Sequence, residues 1–212
     1  PAELFQRCGA RGLFGLRYPE SVGGSGGDFV SFCLMAEQIA RGSLSLAAAV
    51  AMQGLMGTDF IYRFGSEEQR IRLLSPALRG EKLGTIAMTE PDFGSDLGGI
   101  TTRAARDGSG WVLTGRKMWI TSATAADFFT VAAKTRSDEG LKGIDFFLVE
   151  KGTPGLSVGK RIEKLGVRAS ETSEVILEQV RVPEHHLLGE EGTGFQSLTA
   201  ILAEIRTMTG AL

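Results

Sequence analysis

The spacing of the apolar residues changes once along this chain, near Lys82, and that change limits the folds the chain can adopt. Before Lys82, apolar residues recur at the three- and four-residue spacing of amphipathic helices. After it, short apolar or alternating segments are separated by Gly, Asp, Ser and Pro, which is typical of strands joined by turns. The predicted strands are 83–88, 100–106, 111–114, 117–121, 127–134, 144–149, 156–158 and 174–178. No helix-length pattern lies between them, so we expect antiparallel pairing in a barrel or sandwich rather than βαβ units.

Helices are predicted on both sides of this strand-rich region. In 28–41 the apolar side chains follow one helical face, and Asp28 is placed to cap the first turn. The Ala-, Leu- and Met-rich stretch 44–56 predicts a helix buried on most sides. A Ser-Glu-Glu-Gln capping box beginning at Ser66 opens a helix that we expect to end at Gly80. Further helices are predicted over 2–10 and from about 194 onward.

Composition and charge exclude several classes of function. The formal net charge is -2, and Lys and Arg are interspersed with Asp and Glu, so we expect no nucleic-acid partner. The longest window of low polarity, 44–56, is shorter than the roughly 20 residues that span a bilayer, so no membrane span is predicted. Cys8 and Cys33 have no disulfide or metal-site spacing, and the adjacent His185 and His186 do not converge on one ion in most backbones. We therefore predict no metal site.

A glycine run at 23–27 raises the question of a phosphate-binding loop. A helix follows it, but no predicted strand precedes it, and neither a G-x-G-x-x-G spacing nor a following Lys-Ser/Thr pair is present. We therefore expect a flexible turn that leads into the Asp28 cap.

The first of two polar runs, IAMTEPDFGSD, covers 86–96 and is predicted to be a short apolar strand that breaks into a turn. Pro91 removes a backbone donor and the glycine that follows permits a positive φ, so the strand ends here. The run also contains three carboxylates that would suit an acid/base pair or a cation site. They are Glu90, Asp92 and Asp96. Turn formation and the capping of backbone N–H groups explain them better.

The second run, GRKMWIT, covers 115–121 and is predicted to be a half-buried strand. Trp119 and Thr121 lie on one face of this strand, because side chains alternate between its two faces. Two strand ends that present hydroxyls, free N–H groups and a large aromatic plane suit a flat ring system with polar edges.

These two runs, in this order and separation, resemble the flavin-binding signature of acyl-CoA dehydrogenases. The stretch LGVRASETSEVILEQVRVPEHHLLGEEGTGF, residues 165–195, resembles the last β-domain strands of that family and the loop that follows. The resemblance implies an α+β multidomain fold. A helical N-terminal domain is followed by an antiparallel β-barrel or sandwich domain and by the start of a C-terminal helical bundle. In this chain these domains are expected to cover 1–81, 82–190 and 191–212.

The resemblance also implies FAD as cofactor and identifies candidate contacts to it. They are Ile86, Met88, Thr89, Gly94 and Ser95 in the first run and Trp119, Ile120 and Thr121 in the second. Ser95 also matches a position that touches the pantetheine arm of an acyl thioester. Donors near the pyrimidine edge of a flavin favour hydride acceptance, because the reduced ring carries negative charge there. Phe93 stands where small residues are common in the family, so its ring would narrow or cover the acyl entrance.

The catalytic base is expected outside this chain. In most of the family it is a Glu of later C-terminal helices, and a minority branch places a Glu immediately before the arginine that matches Arg206. Here Ile205 fills that place, and Glu204 is rotated from it by about 100° on a helix, so we expect Glu204 to face elsewhere. Arg206 matches a position near the adenine-phosphate end of the substrate; the alternative is a solvated surface arginine.

The resemblance implies an enzyme that dehydrogenates an acyl-CoA thioester to the 2-enoyl-CoA. It also implies an electron-transfer flavoprotein as acceptor, a homotetramer at full length, and a cytoplasmic location in bacteria or the mitochondrial matrix in eukaryotes. The chain begins at Pro1 without Met and ends at Leu212 in helical rhythm, so we expect a fragment. Alternatives on the same fold are an acyl-CoA oxidase, a flavin monooxygenase or a dehydrogenase of carrier-protein thioesters. An alternative of another class is a non-catalytic flavin- or CoA-binding module.

Overall fold

The computed structural model describes residues 2–137 and 139–212, which form two compact units. The first unit comprises 1–84, 164–170 and 200–212, and the second comprises 85–163 and 171–199. The first is mainly helical and the second mainly β, which is the predicted order of structure along the chain. The three domains expected from the sequence stay a prediction.

The first unit is built from short helices whose predicted caps are present. The helices are α1 (Ala2–Ala10), α2 (Phe29–Gly42), α3 (Leu44–Ala51), α4 (Asp59–Phe64), α5 (Glu67–Gln69) and α6 (Ser75–Leu78). Asp28 accepts a hydrogen bond from the Ser31 amide at 2.7 Å, which confirms the cap of α2. Ser66 and Gln69 bond reciprocally to each other's backbone amides, at 3.2 and 2.8 Å, which confirms the capping box. Wide π-helical turns at Met52–Met56 and Arg70–Leu74 interrupt the longer helical runs.

The apolar helical segment that begins at Leu44 is followed, after a turn at 57–58, by the short helix α4. Together they form a stretch of 21 residues, Leu44–Phe64, that by length and composition could cross a membrane, since an 18-residue window of it has a mean hydropathy of 1.4. However, 61% of that window is buried inside the protein, and polar residues of the stretch have partners there. Gln53 donates to the carbonyls of Ala77 and Lys82 and accepts from the Gly84 amide, all at about 3 Å. The prediction of a helix buried on most sides over 44–56 is therefore confirmed, and a turn at 57–58 separates it from α4.

The glycine run at 23–27 is a hydrogen-bonded loop that leads into the Asp28 cap, as predicted, and its predicted flexibility stays a prediction. Its amides are used internally: those of Gly26 and Gly27 donate to the carbonyls of Tyr18 and Leu16 at 2.8 Å. A Cβ at Gly24 would lie 2.1 Å from the Tyr18 carbonyl oxygen, so only glycine fits there. Because these N–H groups are paired with carbonyls, the loop does not present them to a phosphate.

The second unit contains one seven-stranded sheet in the order β1-β4-β2-β3-β7-β6, with β5 paired to β4. The strands are β1 (Gly84–Ala87), β2 (Arg103–Asp107), β3 (Gly110–Thr121), β4 (Phe128–Lys134), β5 (Ile144–Glu150), β6 (Leu156–Val158) and β7 (Thr172–Pro183). Pairing is antiparallel, as predicted, for β2–β3, β3–β7, β4–β5 and β6–β7. The exception is a single parallel contact, Arg103 opposite Lys134, which makes the sheet mixed.

Strand β3 is one continuous strand where the sequence predicted two. Its central Gly115 packs so closely on Thr102 that an added Cβ would lie 2.3 Å from the Thr102 hydroxyl, so glycine here permits close packing rather than a break. The predicted hairpin is confirmed, with Asp107 paired to Gly110 and Gly108 at φ 60°.

The last helix, α7 (Gly194–Gly210), begins where the sequence predicted it. Asp145, which is fully buried, accepts hydrogen bonds from the amides of Gly192 and Gly194 and from the Thr135 hydroxyl. This carboxylate therefore satisfies the amides at the helix entrance, and a negative charge is favourable at that end of a helix.

Candidate functional site

The two polar runs singled out in the sequence lie side by side in the second unit. The Met118 amide donates to the Thr89 carbonyl at 2.8 Å, so the first run is bonded, just before its turn, to the middle of the second. The hydroxyl of Thr85, the residue just before the first run, donates to the carbonyl of Thr121 at the end of the second run at 2.7 Å. The fold therefore brings the predicted contact residues of both runs to one region of the sheet.

Trp119 is turned outward by an irregularity in β3. The pairing register with β7 shifts between Lys117 and Ile120, which is the signature of a β-bulge. Trp119 has φ 62°, a left-handed conformation that is unusual for a bulky side chain, and it is 55% exposed while Ile120 is buried. Strained conformations of this kind concentrate at functional sites, and an exposed indole on a rigid strand is a plane on which a ring can pack.

The remaining predicted contacts surround this bulge or follow β1. Thr89 and Thr121 are half-buried, and Gly94 and Ser95 are exposed in the turn after Thr89. Ile86 is buried and Met88 is half-buried. The turn is closed by a hydrogen bond of 2.8 Å from the Glu90 amide to the Phe93 carbonyl.

The Phe93 ring packs against Gly99. A Cβ added at Gly99 would lie 2.2 Å from the ring carbons, so this glycine provides the space for the ring. This contact with the chain itself accounts for the bulky residue at this position; its predicted effect on an acyl entrance stays a prediction.

A buried ion pair beneath the two runs was missed by sequence reasoning. The Lys117 ammonium lies 2.9 Å from a Glu90 carboxylate oxygen and 3.0 Å from the Met88 carbonyl. Lys117 is fully buried and Glu90 is 3% exposed. Capping of backbone N–H groups by Glu90 was predicted and is present, with the amides of Thr101 and Thr102 as donors. The signal that was available was a lysine on a predicted half-buried strand, which requires a partner.

The pair shifts both pKa values. Burial alone would raise the pKa of Glu90, but the charge of Lys117 and the hydrogen bonds to the carboxylate outweigh it and lower this pKa to about 2. Burial lowers the pKa of Lys117 to about 8, against the opposing effect of Glu90.

The lowered pKa of Glu90 predicts a loss of stability in acid. Because the folded-state pKa is below the ordinary value of 4.5, the ionised carboxylate stabilises the folded state fully above pH 4.5. This contribution is lost as the pH falls from 4.5 towards 2. Urea unfolding measured across this range should show a smaller pH dependence when Glu90→Gln and Lys117→Met are combined than in the wild type. An unchanged pH dependence would contradict the assignment.

The other two carboxylates of the first run do not join Glu90. Asp92 and Asp96 are exposed in the turn. Within residues 2–137 and 139–212, no three His, Cys, Asp or Glu side chains are grouped so that they could hold a metal ion.

Glu204 lies in an ion network of the first unit. It bridges Arg17 and Arg63, with a distance of 2.6 Å to the Arg63 guanidinium. The same two arginines bind the fully buried Asp59 at 2.8 and 2.7 Å. Asp59 and Glu204 together thus supply two negative charges to the two arginine side chains. Its neighbour on α7, Ile205, is buried, and Arg206 is exposed.

Two family models match the sequence. One describes the N-terminal domain of acyl-CoA dehydrogenases and matches residues 1–81, and the other describes the middle domain and matches residues 85–180. Benzylmalonyl-CoA dehydrogenase from Aromatoleum aromaticum is 53% identical over 213 residues, covering 100% of this chain and 56% of the relative.

Solved structures show the same similarity. Butyryl-CoA dehydrogenase from Megasphaera elsdenii has a TM-score of 0.94 at 35% identity, over 99% of this chain and 56% of that one. A glutaryl-CoA dehydrogenase from Mycobacterium smegmatis, solved in complex with FADH2, has a TM-score of 0.90 at 39% identity, over 98% of this chain and 52% of that one. The chain thus spans about half the length of the proteins it matches.

Proposed function

Because the chain belongs to the acyl-CoA dehydrogenase family, we propose that the protein uses FAD to dehydrogenate an acyl-CoA thioester to the 2-enoyl-CoA. The observation that carries this proposal is that the two polar runs lie side by side where the Trp119 side chain faces outward. The Met118 amide bonds to the Thr89 carbonyl, and the bulge beside it exposes the indole.

The chemistry of this region fits an isoalloxazine ring. Trp119 offers an exposed aromatic plane. Within the described part of the chain, the half-buried hydroxyls of Thr89 and Thr121 make no hydrogen bond, so they are available to a polar ring edge. These residues, with Ile86, Met88, Gly94, Ser95 and Ile120 as the further proposed contacts, would hold the cofactor.

The flavin supplies a hydride acceptor for the β-carbon of the thioester. The residues of this chain would bind and orient. The hydroxyls of Thr89 and Thr121 would donate hydrogen bonds to the polar edge of the ring, and the Trp119 indole would pack against it. Ser95, exposed in the turn, would touch the pantetheine arm, and Arg206, exposed on α7, would bind a phosphate at the adenine end.

Removal of the α-proton requires a base on the opposite side of the substrate from the hydride acceptor. We propose that this base is not among residues 1–212. Glu204, the nearest in sequence to the position used by a minority of the family, is occupied by Arg17 and Arg63. Its carboxylate is therefore engaged by side chains of its own unit rather than left free to meet a substrate.

The proposal extends to the partners of the whole protein. An electron-transfer flavoprotein would reoxidise the cofactor, and the full-length protein would assemble as a tetramer. The protein would lie in the cytoplasm if its source is bacterial and in the mitochondrial matrix if its source is eukaryotic.

The proposal is tested on the full-length purified protein. We expect a yellow protein that releases non-covalent FAD on denaturation and whose flavin is bleached by an acyl-CoA under anaerobic conditions. Rapid reaction of the reduced protein with oxygen would instead favour an oxidase. A protein that stays colourless after reconstitution with FAD would refute the proposal.

Two substitutions test the contacts to the ring. Thr121→Ala should weaken FAD binding by about 1.5–3 kcal/mol, the value of a hydrogen bond to a charged group. Trp119→Ala should also weaken it, because the plane on which the ring packs is removed. Titration of the apoprotein with FAD measures both. Thr114→Ala, an exposed threonine on the same strand, is the matched control. Wild-type affinity in both test variants would assign these residues a purely structural role.

A further inference from the structure

The buried ion pair of Glu90 and Lys117 bonds to both polar runs at once. Lys117 belongs to the second run, and its ammonium reaches across to the Met88 carbonyl and the Glu90 carboxylate of the first. Glu90 directly follows Thr89, and Lys117 precedes Trp119 by two residues. The pair thus adjoins the proposed contacts on each run.

The Glu90 carboxylate is itself held rigidly. One oxygen accepts from the amide and hydroxyl of Thr101 at 2.6 and 2.8 Å, and the other accepts from those of Thr102 at 2.9 and 2.5 Å. With four such donors and the ammonium, the carboxylate has one geometry available. It therefore fixes where the Lys117 ammonium lies.

We propose that Glu90 and Lys117 are positioning residues that set the spacing of the two runs and maintain the outward, left-handed conformation of Trp119. The inference rests on the proposed function, since it assigns the runs to flavin binding. Trp119 has a strained, left-handed backbone conformation in this bulge. Such strain persists only where surrounding contacts hold the backbone in place. Lys117 is the last residue in register before the bulge, so its anchoring fixes the point from which the bulge departs.

Stability alone explains this pair poorly. Removing two charges from water is costly, and well-packed apolar residues of similar volume are often as stable. A pair that also bonds the Met88 carbonyl defines the position of one strand end relative to the other, which an apolar contact would not define. Preorganised geometry is what a ring-binding site requires.

The test compares two double variants of the full-length protein. Glu90→Gln with Lys117→Met removes both buried charges and retains the side-chain shapes. Arg116→Met with Glu174→Gln removes an exposed ion pair between the same two strands that flank the bulge, and is the matched control. Each is titrated with FAD as apoprotein, and the visible circular dichroism of the bound flavin reports the orientation of its ring.

We expect the buried double variant to fold and to bind FAD about tenfold more weakly or worse, with an altered flavin dichroism spectrum. The control should keep the wild-type values. A folded buried double variant with wild-type affinity and spectrum would overturn the inference while leaving the proposed function intact. A wild-type protein that takes up no flavin would overturn the proposed function, and this inference with it.

If the buried double variant does not fold, a variant with a shorter carboxylate side chain provides a second test. Glu90→Asp keeps the charge but withdraws the carboxylate from Lys117 and from the threonine donors. A weaker FAD affinity together with an altered dichroism spectrum supports the positioning role, and wild-type values for both overturn it.

Discussion

Lys117→Met is expected to lower the free energy of unfolding by about 3–5 kcal/mol, because it leaves the Glu90 carboxylate buried without its counter-charge. Lys117 is fully buried and Glu90 nearly so, so water cannot solvate the remaining charge without disrupting the strand ends. The four hydrogen bonds from Thr101 and Thr102 would persist, but they were arranged around a carboxylate that also met an ammonium. Urea unfolding followed by far-UV circular dichroism measures the change.

Two comparisons distinguish the loss of a counter-charge from the loss of packing. Adding Glu90→Gln to Lys117→Met removes the uncompensated charge, so most of the lost free energy should return. Arg116→Met alone breaks an exposed ion pair on the adjacent position of the same strand and should cost less than about 1 kcal/mol. If Lys117→Met costs no more than Arg116→Met, the buried pair contributes nothing to stability.

The parts of the fold that sequence predicted correctly are those specified by near neighbours. The Asp28 cap and the capping box at Ser66 each depend on residues three positions apart. The hairpin at Gly108 depends on one residue that accepts a positive φ. The hydrogen bonds of the loop at 23–27 were not predicted, because they run to carbonyls of Leu16 and Tyr18, which pattern analysis does not pair with it.

The candidate site shows the same limit at longer range. The family resemblance identified the residues expected to contact the flavin, but not the buried ion pair beneath those residues. Glu90 was predicted to cap backbone amides, which is a local role, whereas its partner Lys117 lies 27 residues away in the sequence. Nor did alternation predict that Trp119 would be exposed through a bulge, because a bulge breaks the period on which alternation depends.

The expectation that Glu204 is not the catalytic base stays a prediction, but the structure gives its side chain other partners. Its rotation from the place of Ile205 predicted that it would face elsewhere, and it binds Arg17 and Arg63. The network includes Asp59, which comes from α4 and could not be matched with Glu204 from sequence. Glu204 therefore lies close in sequence to a catalytic position of the family, but its side chain forms ion pairs within its own unit.

Asp59→Ala is expected to destabilise the helical unit by about 3–5 kcal/mol, because Asp59 is the fully buried acceptor shared by two arginines. Arg17 is only 9% exposed, so without Asp59 its charge would depend on Glu204 alone. Glu204 is on α7, so the loss should also loosen the part of α7 that lies in this unit. Hydrogen exchange of the amides of 200–210 should therefore accelerate along with the loss of unfolding free energy.

The control is Glu37→Ala, which removes an exposed carboxylate from an ion pair with Arg41 on α2. That exposed pair, four residues apart on one helix, should contribute about 0.3–0.5 kcal/mol. Comparable costs for Asp59→Ala and Glu37→Ala would show that the buried network contributes no more to stability than a surface pair. A large cost for Asp59→Ala without faster exchange in 200–210 would show that Glu204 holds α7 independently of Asp59, through Arg17 and Arg63 alone.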